Sequence, residues 1–256
     1  MIGPLIGMVH LGPLPGAPRF SGDFDAVLAA ALADAGALAE TGFDALLVEN
    51  FGDAPFYPDD VPKATVAALT RAVAEVRRAV ALPVGVNVLR NDALAALAVA
   101  TAAGAAFIRV NVLAGLMHTD QGPIAGRAAE VARLRASLGA PVEVLADVFV
   151  KHATPPPGLT LEQAAADTWE RAGADGLIVS GAGTGRETSL DNLRRVKAAA
   201  PGAPVYAGSG VTAEAVAGVL RVADGVIAGT ALKRDGVTAA PVDLARARAF
   251  VAAARG

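Results

Sequence analysis

Short runs of valine, isoleucine and leucine alternate along this chain with longer alanine-rich segments. Eight of the runs read as strands: Leu5–Val9, Ala45–Val48, Val84–Val88, Phe107–Val110, Val142–Ala146, Gly176–Val179, Val205–Ala207 and Gly225–Ala228. Their near-continuous hydrophobicity suits parallel strands covered on both faces. Between them apolar residues recur at spacings of three and four, as in Val66, Leu69, Val73, Val76 and Val80, which predicts helices. The predicted helices are Asp23–Glu40, Val61–Val80, Asp92–Ala102, Ile124–Leu138, Thr160–Arg171, Leu190–Ala200, Thr212–Leu220 and Val242–Ala254. Asp23 reads as an N-cap, and Thr160 with Gln163 as a capping box. Gly42, Gly104 and Gly173 each stand between a helix and the next strand, where a left-handed residue closes a helix. Eight β units alternating with eight α units predict an α/β fold, a single (β/α)8 TIM barrel over residues 1–256. An open doubly wound sheet is the runner-up. Its dinucleotide fingerprint is missing, because Arg186 stands where the glycine after Gly181 and Gly183 would have to be.

Strand parity then carries information, because alternate residues face the barrel interior. Ile6, Met8 and His10 share one face of the first strand, and Leu47 and Glu49 one face of the second. The same face holds Gly85 and Asn87, then Phe107, Arg109 and Asn111, then Glu143, Leu145 and Asp147. The opposite faces are apolar throughout. Buried polar groups cost several kcal/mol unless paired or wetted, and here they gather toward the carboxyl ends of the strands, where barrel enzymes hold their sites. Arg109 and Glu143, mid-strand neighbours, read as a structural ion pair. Asn87 and Asn111 read equally as loop caps or as ligands. Glu49 and Asp147 converge on one mouth as an acid and a base, or as ligands of a divalent metal, the one cofactor left open. Lys151 and His152 open the loop after Asp147 and, with His10, are placed to polarise a substrate or move protons. No metalloprotease spacing of histidines occurs.

Composition narrows the chemistry further. The chain is 54% apolar and 18% charged, with a net charge of −3 and no cysteine. That excludes a disordered chain, a disulfide framework and a cysteine-ligated metal, and it argues against nucleic acid as a partner. The charge-free stretch at residues 1–18 is broken by four prolines and has no basic leader, and the one at 93–108 is shorter than a membrane span. The expectation is a soluble cytoplasmic protein without a membrane span, forming a homo-oligomer.

The loops after the last three strands are glycine-rich: Ser180, Gly181 and Gly183; Gly208, Ser209 and Gly210; Gly229 and Thr230. Glycine lets backbone N–H groups approach a phosphate, and barrels often bind phosphate with the loops after strands seven and eight. The segments Ala207–Val211 and Ala223–Ala231 resemble the phosphate sites of tryptophan-biosynthesis and ribulose-phosphate-binding barrels. Tight turns are the alternative reading.

Several strings taken together are more specific. They are Gly7-Met-Val-His-Leu-Gly-Pro-Leu-Pro-Gly16, Val48-Glu-Asn-Phe-Gly-Asp53, Arg109-Val-Asn111, Thr119-Asp-Gln-Gly-Pro-Ile124, Ala146-Asp147 with Val150-Lys-His-Ala153, and Gly181-Ala-Gly-Thr-Gly185. Over essentially its whole length the chain resembles the BtpA family, which includes SgcQ-like barrel proteins. The resemblance implies a TIM barrel. Its namesake is linked to photosystem I biogenesis, and the SgcQ-like members to nucleosidase or sugar-pathway activity. The expectation is an enzyme acting on a small phosphorylated metabolite, a sugar or nucleoside phosphate, by glycosidic-bond hydrolysis or by lyase or isomerase chemistry at Lys151. Asn50, Asn87, Arg109 and Asn111 would bind substrate. The alternative is a non-catalytic assembly factor that keeps the phosphate-binding barrel. The long segment Asn111–Gly126 reads as a lid or a subunit contact.

Overall fold

The structure is a computed structural model and describes residues 2–181 and 188–256. Eight parallel strands close into a barrel. In chain order they are β1 (Leu5–His10), β2 (Ala45–Glu49), β3 (Val84–Asn87), β4 (Phe107–Val110), then β7 (Glu143–Val148), β9 (Gly176–Val179), β10 (Val205–Ala207) and β11 (Gly225–Ala228). Three shorter strands, β5 (Leu116–Thr119), β6 (Gly122–Ala125) and β8 (Ala153–Thr154), form a separate antiparallel sheet. The helices are α1 (Phe24–Thr41), α2 (Lys63–Ala79), α3 (Ala93–Ala103), α4 (Ala128–Leu138), α5 (Leu161–Ala166), α6 (Leu190–Ala199), α7 (Val216–Leu220) and α8 (Leu244–Arg255). Among the described residues none is long and apolar enough to cross a membrane.

Local signals act where the sequence places them. The Asp23 carboxylate accepts from the Ala26 N–H at 2.9 Å, and the Thr160–Gln163 box forms in both directions. Gly42 closes α1 at φ 93°. Three expected helices are shortened. The one expected from Ile124 begins only at Ala128, because Gly122–Ala125 pairs with β5 instead. The helix expected over Thr212–Leu220 is regular only from Val216, and the one expected over Thr160–Arg171 widens into a π turn at Asp167–Arg171.

Strand parity separates two apolar layers. Ile6, Met8, Leu47, Phe107, Leu145, Ile178, Tyr206 and Ile227 fill the barrel interior. Leu46, Val48, Val86, Ile108, Val144, Leu177 and their outward neighbours pack against the helices. The interior is filled by fitting large residues against small ones. A Cβ on Gly85 would lie 2.3 Å from the ring of Phe107, its partner on β4, so that glycine is the space the ring occupies.

The segment Asn111–Gly126 folds as the β5–β6 hairpin, and β8 adds to its other edge through His118 and Thr119. Val112, Met117, Ile124 and Val150 form a small core beneath it. Through β8 this sheet fixes the turn that follows β7, which carries Lys151.

Candidate active site

The parallel register sets one row of polar residues across the carboxyl end of the barrel. His10 pairs with Glu49, Glu49 with Asn87, and Asn87 with Arg109. All four face inward by the same parity as the apolar layer below them. His10 Nε2 lies 4.0 Å from Glu49 Oε1, beyond hydrogen-bond length, and its ring is 5.1 Å from that of Phe51. Burial, followed by the positive charges of Lys233, Lys151 and Arg109, holds His10 well below its ordinary value, so it is a neutral imidazole at pH 7. Its Nδ1 is buried without a hydrogen-bond partner among the described residues.

Arg109 does not pair with Glu143 as expected. In register, Glu143 stands beside Phe107 near the start of β7, whereas Asp147 lies two residues beyond Leu145, the neighbour of Arg109. The arginine reaches toward the carboxyl end and meets Asp147 in a two-pronged pair, Nε to Oδ2 and Nη2 to Oδ1, each 2.8 Å. Asp147 also accepts from Asn111 Nδ2 at 3.3 Å and from Ser180 Oγ at 2.9 Å. Asn87 in turn donates to Asn111 Oδ1 and to the Arg109 carbonyl. Burial works against the charge on Arg109, but Asp147, with Glu49 beyond, outweighs it and holds the guanidinium above its ordinary value. The Asp147 carboxylate is therefore committed to four donors. Its acceptor capacity is spent on these four, which leaves Glu49 as the carboxylate beside His10. Among the described residues no three histidine, aspartate or glutamate side chains gather as a metal site.

The main cavity, about 400 Å³, opens beside this row. It is lined by His10, Arg109 and Lys151 together with Gly208, Ser209, Gly210, Gly229 and Thr230. Lys151 is held at its backbone, where its carbonyl accepts from the Arg90 guanidinium. Burial lowers its ammonium below the ordinary value, against the opposing pull of Glu49. The Gly208–Gly210 loop is tied down by Thr188, whose hydroxyl donates to the Ser209 carbonyl at 2.7 Å. Gly229 lies against the histidine: a Cβ there would sit 2.8 Å from His10 Cε1 and 3.2 Å from Met8 Cγ. Gly229→Ala is expected to displace His10 and cost about 1–3 kcal/mol, as overpacking does. Thermal unfolding checks this, and an unchanged midpoint would mean that the loop does not confine His10.

The remaining sequence candidates lie apart from the cavity. Asn50 is spent on its own loops: its Oδ1 accepts from the Leu89 N–H at 2.7 Å and its Nδ2 donates to Asp53. It lines a second cavity, of about 340 Å³, beside Tyr57 and several prolines. His152 is exposed in a left-handed turn, outside the main cavity. Ser180 belongs to the Asp147 network, Gly181 is buried just after β9, and Gly183 lies outside the described residues. Sequence reasoning missed Arg90, which is buried at the mouth and held below its ordinary value by burial. It also missed Thr212 and Arg246, which line the cavity. A charged residue directly after a short apolar strand was the only available sign for Arg90. Arg246 lies one turn into α8 and has no sign in the sequence at all.

A family model described as the BtpA family matches residues 1–256. An uncharacterised protein of Thermococcus kodakarensis is 50% identical over 252 residues, which is 98% of this chain and 95% of that protein. The photosystem I biogenesis protein BtpA of Synechocystis is 47% identical over 250 residues, covering 98% of this chain and 87% of that one. Among solved structures, N-(5'-phosphoribosyl)anthranilate isomerase from Pyrococcus furiosus aligns with a TM-score of 0.59 at 16% identity, over 98% of both chains. At that identity the likeness is one of fold.

Proposed function

The chain belongs to the BtpA family, and from that premise we propose that it is an enzyme whose substrate is a small phosphorylated metabolite, a sugar or nucleoside phosphate, bound at the carboxyl mouth of the barrel. One observation carries the reading. A single cavity joins three cationic side chains, Arg109, Lys151 and Arg246, and a neutral imidazole to two glycine-containing loops, those after β10 and β11. Arg109, pre-oriented by Asp147, and Lys151 supply positive charge. Gly208, Gly210 and Gly229 let backbone N–H groups come close to a phosphate. His10 and Glu49 sit side by side as the groups able to move a proton. Glycosidic-bond cleavage with two free carboxylates loses support, because Asp147 is engaged by Arg109, Asn111 and Ser180. Lyase or isomerase chemistry at the same mouth keeps its support. The second reading, an assembly factor without catalysis, draws on the name of the Synechocystis relative. It calls for an apolar docking patch over the mouth, where polar and charged groups stand instead.

A melting-temperature screen with inorganic phosphate, sugar phosphates and nucleoside monophosphates tests the proposal. Ligand at a hundred times Kd adds about 2.7 kcal/mol. At roughly 2–4 °C per kcal/mol for a chain of this size, that is a rise of about 5–10 °C. If no phosphorylated compound raises the midpoint, while the protein co-purifies with a membrane complex, the assembly reading replaces this one.

A further inference from the structure

The chain has four lysines, and their surroundings differ sharply. Lys63 is exposed at the start of α2. Lys197 pairs with Asp224 at 2.7 Å on the surface. Lys233 is fully buried against Asp34. Lys151 alone lines the cavity, and among the described residues it makes no ion pair or side-chain hydrogen bond. A lysine needed only to neutralise a carboxylate would be paired like the other two. Its backbone, by contrast, is fixed on both sides, by Arg90 on its carbonyl and by the pairing of β8 two residues later. A side chain with no partner among the described residues, on a pinned backbone and opening into a cavity, is a reactive group held in place.

We propose that Lys151 is a nucleophile that forms an imine with the carbonyl carbon of an open-chain phosphorylated aldehyde or ketone. This rests on reading the cavity as a phosphorylated-metabolite site and names the substrate class within it. The Nζ lone pair adds to the carbonyl carbon, a C–N bond forms, and the π pair of the carbonyl moves to oxygen. Nitrogen gives up a proton and oxygen takes one, which yields the carbinolamine. Protonation of that oxygen lets it leave as water while the C=N bond forms, so the net change is the loss of one water. The protonated imine then draws electrons from the neighbouring carbon, where a bond to carbon or hydrogen can break. Glu49 is the carboxylate whose charge acts most strongly on Lys151, and His10 is a neutral base in the same cavity. Burial also raises the fraction of free amine available to attack at neutral pH.

Borohydride trapping tests this. The protein is incubated with D-glyceraldehyde 3-phosphate or dihydroxyacetone phosphate, reduced with sodium borohydride, and examined by intact mass and peptide mapping. The expected result is one adduct at Lys151, with occupancy about tenfold or more above that at exposed Lys63, suppressed by excess inorganic phosphate. Lys151→Arg should lose the adduct and unfold at the same midpoint without ligand, while the unmodified protein shows a rise in melting temperature with inorganic phosphate. No adduct, with that rise intact in the unmodified protein, would overturn the imine and leave Lys151 as a phosphate ligand. Equal labelling of Lys63 and Lys151 would overturn it as non-selective chemistry. Neither an adduct nor any rise with a phosphorylated compound would remove the binding site as well.

Discussion

Replacing Asp147 by alanine is expected to lower stability by about 3–5 kcal/mol, the range for a buried ion pair that loses one partner. The Arg109 side chain is 2% exposed and that of Asp147 0%, so the variant leaves a guanidinium in the barrel without its paired counter-charge. Glu49 lies beyond hydrogen-bonding contact and offsets that loss only in part, and Ser180 Oγ and Asn111 Nδ2 also lose their acceptor. Asp147→Asn should be nearly as damaging, because an amide N–H would then face the N–H groups of Arg109. The double variant Asp147→Ala with Arg109→Met should recover much of the loss, since apolar replacement of a buried pair is often close to neutral. Urea unfolding measures all three. A loss below about 1 kcal/mol for Asp147→Ala would show that Arg109 finds water or another partner. Ligand response should fall along with stability, because Arg109 lines the cavity only in the orientation Asp147 imposes.

Asp34→Ala is expected to cost a comparable amount, about 3–5 kcal/mol, at a site that touches no ligand loop directly. Lys233 is 1% exposed and its ammonium meets Asp34 on α1. Asp34 also accepts from the Val242 N–H at 2.7 Å. One carboxylate thus ties the first helix to the connection between β11 and α8, just after Gly229 and Thr230. Lys233→Met should cost clearly less, because Asp34 keeps its backbone donor and is less completely buried. The comparison is made by urea unfolding of the two single variants. Equal losses would mean that Asp34 left without its lysine costs as much as Lys233 left without its carboxylate, despite the Val242 donor.

The barrel itself was legible along the chain. Parallel strands buried on both faces must be apolar over their whole length, so Phe107–Val110, Gly176–Val179, Val205–Ala207 and Gly225–Ala228 stand out with the bounds the structure shows. The inward row was legible too, because strand parity has a period of two and His10, Glu49, Asn87 and Arg109 share it. The antiparallel sheet was not. Strands β5, β6 and β8 are partly exposed and carry no apolar run, and Ile124 and Ala125 were absorbed into the helix that follows. Asn50 looked like a ligand because it follows Glu49. Only the meeting of the β2 and β3 loops shows that its amide is occupied by Leu89 and Asp53.

The sequence by itself determined the order of the barrel strands and the helices around them, the two apolar layers and the inward row of polar residues on β1 to β4. These follow from local periodicity and from the cost of burying a polar group. The tertiary structure decided how those polar residues are shared out. Arg109 reaches Asp147 and not Glu143 because a long side chain follows its direction out of the strand, and the parallel register sets which carboxylate lies there. That choice turns Asp147 from a candidate base into an anchor. Lys151 opens into the cavity on a backbone that Arg90 and a distant hairpin edge hold in place, with no side-chain partner among the described residues. Pairing across strands depends on register and reach between residues far apart in the chain, and no local pattern carries either.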